Sequence, residues 1–257
     1  MARHDPIGKR FYIPLGKAER ISDVAFWSAT ILSVVVLKVD KAQYEALYDI
    51  VQTTFILSVL CMFGMGLVVR LYFAPRSQEG RMLDFVSNAF SVALDHQTSV
   101  GYYNNAEIDQ VRKAAANLLE NTYFTKSILE KMLGTQRILG GIYVLTWGWA
   151  LIFRVTDLDW IAVVAQAIFS EQFFSRWLRL EWLRSQVERI YKDTYNLFRS
   201  VSDFQNPEFR ARVVAFLLQY EVSKSQAGIS LSTRVFKRLN TKMSVEWNKI
   251  KAAAGIA

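Results

Sequence analysis

Residues 50–73 read IVQTTFILSVLCMFGMGLVVRLYF, about two dozen positions without a charge until Arg70. A helix rises about 1.5 Å per residue and the hydrocarbon core of a bilayer is roughly 30 Å thick, so the stretch is long and apolar enough to span it. Arg70 and Tyr72 fall at its end, where such side chains reach the interface. Pro75 is expected to stop the helix there.

Upstream, residues 24–39 form a shorter apolar run with no charge before Lys38; it needs flanking residues or a thin bilayer to cross. Downstream, residues 138–153 and 160–174 form a second pair joined by residues 154–159, with Trp147, Trp149 and Trp160 as interface anchors. Five Lys and Arg precede the first run, seven lie in residues 74–137 and five follow closely after residue 174, whereas the outer loops hold Lys38, Lys41 and Arg154. The positive-inside rule then puts both termini and the central segment in the cytoplasm.

The expected fold is all-α and polytopic. Four transmembrane helices form two hairpins, with a cytoplasmic helical hairpin between them and cytoplasmic C-terminal helices after them. The segments are residues 1–23 (a basic, partly irregular lead-in), 24–73, 74–137, 138–174 and 175–257. Composition agrees: the 257 residues are 52% apolar and 14% aromatic, greasy for a soluble domain yet diluted by long polar stretches. No Ser/Gly/Pro-rich linker marks a boundary, so one interdependent unit is expected. The first apolar run begins only near Val24, too late for a signal peptide, and reads as a retained helix.

The net charge of +8 would suit nucleic acid, but the cations cluster beside the apolar runs. That points to the bilayer surface as partner and away from direct DNA or RNA binding. Cys61, the single cysteine, lies inside an apolar run, which excludes a disulfide within the chain and leaves it a packing role.

Within the central segment, residues 82–94 have apolar positions at helical spacing, and residues 106–133 carry Ile108, Val111, Ala115, Leu118, Thr122, Leu129 and Met132 along one stripe. Asn104 with Glu107 resembles a capping box, and Gly134 suits the helix's far end. No Pro or Gly interrupts the chain from residue 160 to Pro207, so one helix of roughly 60 Å is expected to reach residue 200. Along it Leu180, Leu183, Val187, Ile190, Thr194 and Leu197 alternate steps of three and four. Such an a/d seam suits another helix, and a second copy of the chain is the expected occupant. Residues 209–223 and 233–254 read as further helices.

Chemistry is sparse. His4 and His96 have no nearby Cys or HExxH-like partner, and Gly64-Met-Gly66 and Gly140-Gly141 lack the strand, spacing and lysine of a phosphate loop. No metal site, cofactor or catalytic residue is expected. Small residues in spans let helices approach closely. The loop around residues 101–105, GYYNN, admits two readings. It is a capped, aromatic-packed turn, or it is a ligand pocket in which Tyr102 and Tyr103 stack on a base, Asn104, Asn105 and Asn88 read its edge and Arg112 or Lys113 meets phosphate. In the fourth span Gln166 and Ser170 lie one turn apart with Glu171 beside them. They line a polar path, or Glu171 pairs with Arg176 at the interface.

Three stretches carry a resemblance: residues 87–105 with Ser87-Asn-Ala-Phe90 and Gly101-Tyr-Tyr-Asn-Asn105, residues 120–126 (ENTYFTK), and Tyr220-Glu221 with Lys224 and Glu246-Trp247. The chain resembles the four-transmembrane effectors of bacterial anti-phage systems built on cyclic-nucleotide signalling. The resemblance implies a non-enzymatic effector that self-associates and compromises the inner membrane when a nucleotide second messenger is made. A different class is a membrane sensor or scaffold that holds a soluble defence partner through the seam and forms no pore.

Overall fold

A computed structural model of the chain describes residues 4–153, 175–201 and 203–257. These residues are helical throughout, apart from connecting loops and one isolated bridge in which His4 and Val100 exchange backbone hydrogen bonds of 3.0 Å. A π-helical turn, Gly8–Tyr12, leads into α1, Ile13–Lys38. Then come α2, Glu45–Val68, a second π turn, Val69–Phe73, and α3, Ala74–Phe90. The long α4 is Gln110–Phe153, followed by α5, Arg176–Ser200, α6, Pro207–Ala227, and α7, Thr233–Ala253. The chain forms two compact units, where one had been expected: Met1–Tyr12 with Pro75–Thr135 and Arg179–Ala257, and Ile13–Ala74 with Gln136–Leu178.

The first unit is a helical body around α4. Residues 114–120 are buried without a break, so this part of α4 is enclosed on all sides, which its three consecutive alanines make room for. α5 packs antiparallel to it: Tyr123 meets Tyr191 at 6.2 Å between ring centroids, Lys126 meets Glu188 at 3.8 Å and Glu130 meets Arg184 at 3.3 Å. α7 adds Phe236 against Phe124 and Trp247 stacked on Tyr123, both at 6.4 Å, and α6 joins through a 2.8 Å hydrogen bond between the Tyr220 and Thr125 hydroxyls.

The seam expected to join two copies is filled within one chain. Leu180, Val187 and Ile190 are fully buried, and Leu183 and Leu197 nearly so. The expectation of an oligomer seam at these residues is therefore corrected: a stripe of large apolar side chains buries itself on the nearest complementary helix, here the chain's own. At roughly 1.5–3 kcal/mol per buried aliphatic side chain, it is a core face of the body.

The second unit inverts the usual arrangement of a water-soluble protein. α1 and α2 pack antiparallel across a turn in which the Asp40 carboxylate accepts from the Ala42 N–H at 2.8 Å. On α1 the buried positions are Leu15 and the small Ala18, Ser22, Ala25 and Ala29, while Val24, Trp27 and Ile31 point outward; on α2 Val51 is buried, and Ile50, Leu57, Leu60 and Phe63 are more than half exposed. Small residues inside and large apolar ones outside are how helices pack in lipid. Among the described residues one helical run, Glu45–Phe90, is long and apolar enough to cross a membrane. In α1 the uncharged apolar stretch runs only from Val24 to Leu37, between Asp23 and Lys38. Residues 154–174, which include the whole of the fourth expected span, lie outside the described residues.

Three expected boundaries change. Residues 1–23 were expected to be partly irregular, but helix begins at Pro6, because Asp5 accepts from the Gly8 N–H at 2.8 Å and Pro6 takes the first helical position. Pro75 does not stop the helix. A proline ring clashes with the carbonyl four residues back, which for Pro75 is Leu71 and for Pro14 is Arg10, and each lies in one of the two π turns. The wider turn relieves the clash. Gly134 does not end α4 either: the hydrogen-bond ladder continues to Phe153, and one interior glycine costs only about 1 kcal/mol.

Candidate functional site

α3 stops because Ser91 adopts a left-handed φ of 55° and the Val92 N–H bonds the Ser87 carbonyl at 3.1 Å. The next helix starts only at Gln110, so residues 91–109 form a long strap across the body. Its first fastening is Asp84. The buried carboxylate accepts the backbone N–H and hydroxyl of Ser99, each at 2.7 Å, and the Arg81 guanidinium at 3.3 Å. Arg81 also donates from Nη2 to both oxygens of Asp5, at 3.0 and 3.1 Å, and stacks over Tyr102 at 4.3 Å. One guanidinium thus joins the N-terminal segment, α3 and the strap.

The surroundings hold Arg81 as a cation. Burial opposes its charge, yet Tyr102, Asp5 and Tyr12 keep its proton affinity above the ordinary value. Burial pushes the Tyr12 hydroxyl up to about 12 despite Arg81 beside it, and it pushes Tyr220 to about 12 as well. Lys224 repeats the pattern: burial works against its charge, but Tyr220 and Glu221 hold the ammonium above its usual value, with both Glu221 oxygens at 3.0 Å. Gly80 lies under the Phe11 ring, where a Cβ would come within 2.9 Å of a ring carbon, so the N-terminal segment seats closely on α3.

The residues expected to bind a ligand are brought together in part. Tyr103 packs edge-on against Phe85 and Tyr102, its hydroxyl accepts from the Asn121 amide at 3.3 Å, and burial pushes its pKa well up. Asn105, Asn117 and Asn88 form an amide chain: the Asn105 amide donates to Asn117 at 2.8 Å, and Asn117 donates to Asn88 at 3.0 Å. The Asn104 N–H donates to Glu120 at 3.0 Å, and its side-chain amide to Asn248 on α7 at 3.0 Å. These groups are engaged with one another.

Arg112 sits apart from the tyrosines. It stacks on Phe204 at 4.1 Å, donates to the Gly255 carbonyl at 2.6 Å and lies 3.0 Å from the Glu107 carboxylate. With Glu107, Ile108, Asp109, Phe204 and Gln205 it lines an open groove of about 460 Å³. The expected capping box is corrected here: Asp109, not Asn104, caps α4 by accepting the Arg112 N–H at 2.8 Å, while Glu107 accepts the Ala257 N–H at 2.8 Å. Gln166, Ser170 and Glu171 lie outside the described residues; Arg176, the expected partner of Glu171, pairs with Asp23 at 3.5 Å.

Sequence reasoning missed Arg81 and Asp5, which meet only in the folded chain. The i, i+3 spacing of Arg81 and Asp84 was the available signal. Among the described residues no group of three or more His, Cys, Asp or Glu could hold a metal. The arrangement can fasten or release a strap; it presents no nucleophile paired with a base. Comparison with family models, curated proteins and solved structures finds no significant match to this chain.

Proposed function

We propose that the chain is a membrane effector of bacterial anti-phage defence, without enzymatic activity, that self-associates in the inner membrane and permeabilises or depolarises it when triggered. The observation that carries this reading is the exposed large-apolar, buried-small pattern of the α1–α2 hairpin, which suits lipid, in a chain whose other unit is a self-contained helical body. Four spans in two hairpins and cytoplasmic termini belong to the proposal through the positive-inside count. The defence role rests on the resemblance of residues 87–105, 120–126 and 220–247.

In this reading a nucleotide second messenger acts on the strap. A ligand stacking on Tyr102 or pairing with Asn104 and Asn105 competes with the contacts to Arg81, Asn248 and Asn117, so its binding favours a released strap. A 1.4 kcal/mol preference for the released form shifts that equilibrium about tenfold. Self-association uses a surface other than the filled seam, and the scaffold alternative loses the surface it relied on. The test is the membrane potential of cells expressing the chain with its trigger. Collapse is expected, and full toxicity with an intact potential sinks the proposal.

A further inference from the structure

Helix α7 carries Arg234, Lys237, Arg238, Lys242, Lys249 and Lys251 against one carboxylate, Glu246. Its inner face is taken up by the body: Phe236 packs on Phe124, Trp247 on Tyr123, and Met243 and Trp247 are buried. The opposite face exposes Arg234, Lys237, Arg238 and Lys242. Glu246 is engaged by Lys249 at 3.4 Å, and among the described residues no carboxylate pairs with the four cations. They lie in the first three turns, which hold no acidic residue, and Arg234 in the first turn also meets the positive end of the helix dipole. Within the body alone this distribution is unfavourable, which calls for an anionic partner at that end of the helix.

The position of that end identifies the partner. The Ser232 N–H, one residue before α7, meets the Met132 sulfur at 3.5 Å, and Met132 lies just before Thr135, where α4 passes from the body into the apolar unit. The far end of α7 is beside the strap, through Asn248 and Asn104. The cations therefore gather where the chain leaves the body for the apolar helices, and they thin out away from it.

We infer that the N-terminal end of α7, through Arg234, Lys237 and Arg238, docks on the anionic headgroups of the bilayer in which the apolar unit is embedded. The inference rests on the membrane reading of that unit. Each cation near an anionic surface strengthens the attraction about fivefold, an effect that fades within a Debye length of roughly 8 Å. Lys249 lies about 18 Å farther along the helix than Lys237 and serves as an internal control.

The experiment uses the full-length chain in lipid nanodiscs of phosphatidylcholine alone, or with about 30% phosphatidylglycerol, acylated by a water-soluble amine reagent and read by mass spectrometry. Lys237 is expected to react about fivefold or more slowly in the anionic discs, with Lys249 unchanged and the protection lost at about 0.5 M salt. Arg234→Gln with Arg238→Gln should weaken the protection of Lys237 without altering thermal stability. Equal labelling in both discs overturns the inference. Protection by a single-stranded oligonucleotide but not by phosphatidylglycerol overturns it too, and reassigns the face to nucleic acid. A chain that enters neither disc refutes the membrane reading instead, so the two failures are distinguishable.

Discussion

Replacing Asn117 with alanine should loosen the strap well before it unfolds the body. Asn117 is fully buried on α4 and is the middle member of an amide chain, accepting from Asn105 at 2.8 Å and donating to Asn88 at 3.0 Å. Each bond contributes about 0.5–1.5 kcal/mol net, and a buried group left unpaired costs about 1–3 kcal/mol. Asn105 and Asn88 are half-buried, so water reaches them in part and the lower end of that range applies. Alanine's better helix propensity returns a few tenths of a kcal/mol. Only the bond from Asn105 fastens the strap, so about 1–2 kcal/mol of the loss falls on it, which makes opening of the strap roughly 5- to 30-fold more frequent. Amide hydrogen exchange of residues 99–106 in the purified full-length chain measures this directly, with the buried amides of Leu118 and Leu129 as the slow reference. Asn88→Ala alone should give a smaller effect, and the two substitutions should be coupled by about 0.5–1.5 kcal/mol in a double-mutant cycle. Unchanged exchange of the strap in Asn117→Ala would refute the reasoning, because the amide chain would then fasten nothing.

Leu183→Ala should destabilise the body by about 2–5 kcal/mol, and Leu183→Asp with Ile190→Asp should yield aggregated or proteolysed chains; well-folded smaller assemblies in size-exclusion chromatography would restore the seam as an oligomer interface. Arg81→Lys replaces a planar fork by a point charge, so it should loosen the N-terminal segment, seen as faster limited proteolysis after Arg10. The backbone N–H of Arg112, with Gln205 and Arg210, holds the Asp109 carboxyl below its ordinary 3.8. A folded pKa lower than the unfolded one contributes stability above the unfolded value that is lost as pH falls through the folded one. Exchange at the start of α4 should therefore rise only below about pH 3.8, and Asp109→Asn, which still caps, should remove that dependence.

The helical class was legible because residues 50–73 need no partner to reveal their nature: length and the lack of charge suffice. α6 and α7 were also readable, since their signals are local. Asn206 accepts from the Glu208 N–H beside Pro207, Gly228 closes α6 at φ 56°, and Ser232 accepts from the Val235 N–H. The Asp5-Pro6 start was equally local and was passed over, as was Asp109. Periodicity identified the stripe of residues 180–197 but not its occupant, because an apolar stripe carries no record of which helix covers it. That was decided by the antiparallel register that sets Glu188 beside Lys126 and Arg184 beside Glu130. The contacts of residues 101–105 were decided in the same way. Tyrosines and asparagines in a loop serve a ligand or a fastening equally well, and their partners within the chain are set only by what folds against them: Arg81 over Tyr102, Asn117 beside Asn105, Asn248 beside Asn104. Hydrogen bonds and ring contacts act over a few ångströms, so residues 12 to 144 positions apart exert them only once the chain has folded.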